Sequence, residues 1–166
     1  MAHYKYGILD MKKYRSIMKP VAASQYFRHN GINLVYLDSN GRVTLALTAT
    51  ATLFGFVVPP KGMGAGTSED YWLSSSTAGA DKIAVYPFAL NPNMALMLPA
   101  DATVTEAMAG NSCDIIAVND GTATTVDVGT SSTKVLIILG KGSDFKVEAG
   151  TADVVVTANP AKIQAD

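Results

Sequence analysis

The sequence has little with which to do covalent chemistry. Of its 166 residues one is cysteine (Cys113), one is tryptophan (Trp72) and two are histidines (His3 and His29). A single cysteine excludes a disulfide scaffold, and with no cysteine or histidine pair nearby it excludes a structural zinc site. Charged residues make up only 16% of the chain, against about 25% in an ordinary soluble domain. A surface so sparse in charge is expected to be covered in part by a partner. No apolar run approaches the roughly 18 residues of a membrane span; the longest, 53–60 and 135–140, are strand-sized. No apolar stretch of signal-peptide type follows the Met-Ala-His-Tyr-Lys-Tyr start, so the chain is read as made in the cytoplasm without export. Its 48% hydrophobic content excludes intrinsic disorder. The length is that of one domain able to bury a core without cross-links.

The candidate catalytic motifs fail on their chemistry. Gly62–Ser68 follows an apolar run as a phosphate loop would, yet Lys61 precedes the glycines, where a P-loop needs Gly-Lys-Ser/Thr at its end. The Gly-x-Gly-x-Gly spacing also misses the dinucleotide fingerprint. Both point to a surface loop. Cys113 sits beside Asp114, whose charge raises a thiol pKa, the wrong direction for attack. Ser74-Ser75-Ser76 has no histidine near it within the body of the chain. Glu69 and Asp70 are neighbours and face opposite sides of a strand. The chain is therefore expected to be no enzyme and to hold no cofactor and no metal.

What is abundant is β signal. In Arg42–Thr48, Val43, Leu45 and Leu47 face one way and Arg42, Thr44, Ala46 and Thr48 the other, the period of a half-buried strand. Asp38-Ser39-Asn40-Gly41 before it supplies an Asn-Gly pair tolerant of positive φ, so a hairpin with 32–37 is expected. Further strands are expected at 50–58, 82–88, 94–98, 114–118, 122–128, 134–139, 144–147 and 153–157, with Asn119-Asp120-Gly121 a second turn and 134–139 central. Tyr71-Trp72-Leu73 reads as a short apolar anchor. Helix is limited to a turn or two near 10–18 and a short stretch at 103–109. Turn signals every 8–14 residues fit an antiparallel sandwich or barrel. The expected fold is all-β, an antiparallel sandwich or barrel with an extended N-terminal arm (1–30), a β domain (31–158) and a loose C-terminal tail (159–166).

Charge separates the arm from the body. Residues 1–42 carry seven basic and two acidic side chains, a net +5, which leaves −6 for the remainder. Such an arm reads either as a solvated tail or as a contact for an acidic surface. Nucleic acid is the poorer partner, since the arm has no arginine run and the sequence pI is near 6.1.

The small Ala/Thr/Gly-rich β body, with turns such as Val118-Asn119-Asp120-Gly121-Thr122 behind an N-terminal arm, resembles the capsid decoration (cement) proteins of tailed bacteriophages. The resemblance covers size and style over most of the chain and rests on no diagnostic motif. It implies a homo-oligomer, with a trimer favoured, made in the host cytoplasm. That oligomer binds the major capsid protein on the outer surface of the virion, bridging capsid subunits, with no nucleic acid and no membrane as partner. It also implies that the arm docks, through Tyr4, Lys5, Tyr6, Lys12, Lys13, Tyr14 and Arg15. Other readings are a different phage component, such as a tail-tube, head-fibre or shell protein, or a carbohydrate-binding β-sandwich centred on Trp72 and Tyr71.

Overall fold

The computed structural model describes residues 6–29, 33–59, 70–145 and 149–166. Thirteen strands run through the described residues, with four 3-10 turns and no α-helix. They form three antiparallel sheets. The first, of six strands, contains β1 (Gly7–Ile8), β9 (Leu96–Pro99), β13 (Asp153–Ala158), β12 (Leu136–Lys141), β10 (Ser112–Ile116) and β11 (Thr125–Asp127), in that spatial order. The second, of five, runs β2 (Ile17–Pro20), β8 (Lys82–Pro87), β6 (Gly55–Val57), β4 (Leu34–Leu37) and β5 (Val43–Leu45). The third is a ribbon of β3 (Tyr26–Arg28) and β7 (Tyr71–Leu73). The fold is all-β, as the sequence predicts, and of its two options the sheets form a sandwich; they close no barrel.

Strand periodicity sorts the core into two. Leu34, Ala46, Phe56 and Phe88 of the five-stranded sheet and its flanks meet Leu96, Leu98, Cys113, Ile115, Leu136, Ile138, Val154 and Val156 of the six-stranded one. The alternate residues of the same strands, Val35, Leu37, Val43, Leu45, Val57, Ile83 and Val85, pack on Phe27 and Trp72 of the ribbon. The five-stranded sheet is therefore a middle layer buried on both faces, which is why Leu34-Val35-Tyr36-Leu37 shows no polar alternation. Each fully buried large apolar side chain there contributes about 1.5–3 kcal/mol.

The arm of the sequence reading is extended, and its described part is built into these layers. β1 lies on an edge of one sheet, β2 on an edge of the next, and β3 in the ribbon; Val21 and Phe27 belong to the second core. Residues 31–158 therefore do not form a body apart from it. The tail is also tied down. Leu53 N donates to Lys162 O at 2.9 Å, and Gln164 N donates to Leu53 O at 2.8 Å. The Gln164 side-chain amide bonds both Leu37 N (2.8 Å) and Leu37 O (2.9 Å).

The expected hairpin joins β4 to β5, with Gly41 at φ 70° and Asp38 Oδ1 accepting from Asn40 N and Arg42 N. The half-buried alternation fails at Ala46, which is buried in the first core, and at Leu47, 37% exposed, because the chain leaves the sheet after Ala46 so that Thr48 N can reach Ala117 O. The expected strand at 144–147 begins in a 3-10 turn (Gly142–Asp144), and its remainder past Phe145 lies outside the described residues. The helical stretches shrink to single turns, Met11–Lys13 and Glu106–Met108. β12 is central, between β13 and β10, but only Leu136 and Ile138 enter the core. A bulge between Ile138 and Gly140 leaves Leu139 40% exposed. Pro20, Pro87 and Pro99 each stand last in a strand, where the missing N–H costs least.

Gly55 leaves no room for a side chain. A Cβ there would meet Val85 Cγ1 at 2.9 Å and come closer still to the Tyr86 carbonyl oxygen. Gly55→Ala is expected to destabilise by about 1–3 kcal/mol through overpacking, read as a lower urea midpoint at unchanged slope. An unchanged midpoint contradicts this packing.

Asp114 is the main buried anion clamp. Its carboxylate, 5% exposed, accepts from Ser132 N (2.7 Å), Thr133 N (3.0 Å) and Lys134 N (2.8 Å), and so holds Lys134 at φ 55°. Burial alone would raise the carboxyl pKa; the three N–H donors outweigh it and hold it below the ordinary 3.8. A lowered folded-state pKa means that this stabilisation is present above the unfolded value and is lost as pH falls through the folded one. Asp114→Asn is expected to lose about 1–3 kcal/mol at neutral pH. The gap from wild type should narrow as pH falls below the ordinary carboxylate value and through the lowered folded-state one. A pH-independent gap in denaturation midpoint counts against the assignment.

Candidate functional site

Of the predicted contact residues, Tyr4 and Lys5 lie outside the described residues. The other five span a strap, residues 6–16, that crosses one flank of the sandwich from β1 to β2. Its course follows from local chemistry. The Tyr6 hydroxyl donates to Asp153 Oδ1 at 2.8 Å, and Tyr6 packs on the first core. β1 pairs with β9, Gly7 opposite Met97 and Ile8 opposite Leu96, and Leu9 N continues to Ala95 O at 2.9 Å. Asp10 then turns the chain in left-handed conformation (φ 55°) into the 3-10 turn Met11–Lys13. Tyr14 packs on the first core.

The strap is locked at Arg15. The register of β2 on β8 sets Ile17 opposite Val85, so its continuation brings Arg15 to Pro87. Proline has no N–H to give the Arg15 carbonyl. The Asn91 side chain supplies the missing ladder partner. Its Nδ2 donates to Arg15 O (2.9 Å) and to Pro87 O (2.8 Å), and its Oδ1 accepts from Arg15 N (2.8 Å). Asn91 is only 4% exposed; its bond to Pro87 O is buried and the two to Arg15 are part-buried.

This geometry divides the predicted residues. Tyr6 and Tyr14 turn inward and hold the strap; Lys12, Lys13 and Arg15 remain exposed. Lys13 pairs with Asp10 at 2.7 Å, and that carboxylate raises the ammonium pKa above its ordinary value through a hydrogen bond and its charge. Among the described residues no carboxylate pairs with Lys12 or Arg15. Met11 (40% exposed), Met18 (62%) on β2 and Leu90 (54%), next to Asn91, add apolar area to the same flank. Sequence reasoning missed Asn91, Met18 and Leu90. Asn91-Pro92-Asn93 reads as an ordinary turn, and nothing in the linear pattern brings Pro87 opposite Arg15.

The other candidate groups are placed otherwise. Cys113 lies in the first core, where burial first, and then the charges of Asp114, Asp127 and Asp101, push its thiol pKa up to about 12. Trp72 is 2% exposed and stacked on Phe27 at 5.8 Å, so it offers no platform to a sugar ring. Tyr71 is engaged edge-on with Tyr26 at 5.0 Å. Gly62–Ser68 and His3 lie outside the described residues. His29 is on the β3 side of the ribbon, its N–H donating to Asp70 O. Phe88, Met94, Leu96, Met97 and Leu98 are buried, with Tyr86 and Ala95 half-buried beside them, so this stretch presents no apolar patch. A shallow depression of about 360 Å³ is lined by Tyr36, Leu47, Ala49, Thr50, Ala51 and Thr52. A second, of about 230 Å³, lies among Asn111, Ser112 and Val128–Ser131. Neither brings carboxylates, histidines or basic groups together. No helix among the described residues is long and apolar enough to cross a membrane. No protein-family model, curated protein or solved structure matches the chain.

Asn91→Ala is expected to strand both polar groups of the Arg15 peptide and to destabilise by about 1–3 kcal/mol. Amide exchange should quicken for Arg15 and its neighbours before it does in β12 or β13. Uniform protection across the flank in the variant would show that Asn91 is not what holds the strap.

Proposed function

We propose that the chain is a structural virion protein of the capsid-decoration kind. It binds the outside of an icosahedral phage capsid as a homo-oligomer and braces the shell by bridging capsid subunits. The observation that carries this reading is the strap. A short basic segment, with no acidic partner for Lys12 or Arg15 among the described residues, is held by the Asn91 clamp on the flank of a three-layer β frame, with exposed Met11, Met18 and Leu90 around it. Such a surface favours a partner with carboxylates around apolar contacts; the cations give rate and orientation, and the methionines give adaptable contact area. Each contact is modest, and repetition over a symmetric shell makes many of them act together. The partner by this reading is the major capsid protein. The resemblance in size and composition of the β body supports it.

The strap also sets how this is tested. Removing residues 1–30 takes β1, β2, β3, Val21 and Phe27 out of the fold, so truncation reports on folding rather than docking. Charge reversal does not disturb the core. Wild-type protein is expected to co-sediment with empty phage heads, and the triple variant Lys12→Glu, Lys13→Glu, Arg15→Glu to lose at least about tenfold in affinity. Wild-type binding should also weaken as salt rises, since exposed charges are screened within about 8–10 Å. Equal binding by wild type and variant at low salt, or assembly into tubes or shells with no head present, overturns the reading.

A further inference from the structure

The strap leads into a strand whose outer edge is open. The phase of the β2–β8 ladder is fixed by Val21 N donating to Asp81 O at 2.9 Å. With Lys19 opposite Ile83 and Ile17 opposite Val85, the backbone groups of Ile17, Lys19 and Val21 face β8. Those of Ser16, Met18 and Pro20 then face away from the sheet. Among the described residues nothing hydrogen-bonds the outward groups of Ser16 and Met18, and the Met18 side chain is 62% exposed; at Pro20 the edge already meets β5 through the parallel Val21–Val43 bridge. Other edges of the two large sheets are covered. β5 is bridged by Val21, with Ala22 N on Val43 O and Gln25 Oε1 accepting from Leu45 N. β11 is met by Asp101 N on Val126 O. β1 has only two residues.

The open stretch has defined ends. Asn91 occupies the peptide groups of Arg15 on one side, and Pro20, which lacks an N–H, stops a ladder on the other. Between them Ser16 and Met18 each offer a donor and an acceptor. Exposed strand edges of this kind template pairing with another chain. Charge selects the occupant. Lys12 and Arg15 lie at the entrance of the edge without acidic partners among the described residues.

We infer that β2 is a strand-addition site for an extended acidic segment of the partner protein, its backbone paired with Ser16 and Met18 and its carboxylates meeting Lys12 and Arg15. The inference rests on the docking function proposed above and specifies the element the partner inserts. Backbone pairing fixes position along the edge, and the cations select among segments able to pair.

The test measures fluorescence anisotropy of a labelled peptide of alternating Glu and Val against the full chain. Two further peptides are N-methylated on one or the other alternating set of amides. The parent peptide should bind, and one methylated peptide should lose about tenfold or more in affinity while the other keeps it. Met18→Pro removes an outward N–H and leaves the β8 ladder intact. It should lose about as much, whereas Met18→Ala should lose less than about threefold. Circular dichroism of the Met18→Pro variant must match wild type; if it does not, the methylated peptides alone decide. Equal binding of all three peptides overturns the inference, and so does a β2-mediated dimer that Met18→Pro dissolves. Heads that bind while the parent peptide does not overturn the inference alone. A peptide that binds while heads do not overturns the capsid reading and leaves the strand-addition site standing.

Discussion

The five-stranded sheet is apolar on both faces, so it can exist only if each face is kept from water. One face is met by the six-stranded sheet through Phe56, Leu34 and Phe88. The other, carrying Val35, Leu37, Val57, Ile83 and Val85, is closed by a ribbon of two three-residue strands whose Phe27 and Trp72 supply most of the cover. So small a ribbon has little stability of its own. It holds because Phe27 and Trp72 stack inside the interface and because side chains take over where strand pairing stops. Asn119 bonds Tyr26 N (2.9 Å) and Ser24 O (3.1 Å), and Ser74 Oγ accepts from Gln25 N (2.8 Å).

The same constraint explains why the N-terminal segment is threaded through every layer. To place Phe27 on the far face, the chain must travel from the six-stranded sheet across the flank, along the edge of the middle sheet and over it. Asn91 is where that path is most exposed to failure, since Pro87 can end β8 only by giving up a donor. One buried side-chain amide restores the ladder and fixes the strap in a single course. Gln164 plays a similar part at Leu37, and Gln25 at Leu45. Side-chain amides thus continue strand ladders at three ends where backbone does not.

For docking, this changes the physical account of the basic segment. A free arm would lose conformational entropy on binding. From Tyr6 onward the strap has already lost it on folding, so its cations and the β2 edge are presented in fixed geometry. The basic segment and the fold therefore cannot be varied independently. Substitutions that keep Tyr6, Tyr14 and the Arg15 peptide in place alter the surface, and those that do not also alter the layers beneath.

Sequence by itself determined the β class, the Asp38–Gly41 hairpin, the raised thiol pKa of Cys113 and the concentration of positive charge in residues 1–42. These are written in local terms: period-two alternation, turn residues that accept positive φ, a neighbouring carboxylate, a count of charges. Cys113–Asn119 and Ala152–Thr157 look alike in sequence, and their strands flank β12 on either side. Only the tertiary structure decided that residues 6–29 belong to the layers, that Trp72 is a core residue, and that Asn91 stands in for a proline's absent donor. Whether an apolar strand residue meets a core, a ribbon or water depends on which strand lies across from it. That pairing is set by contacts between residues far apart in the chain, which no local pattern records.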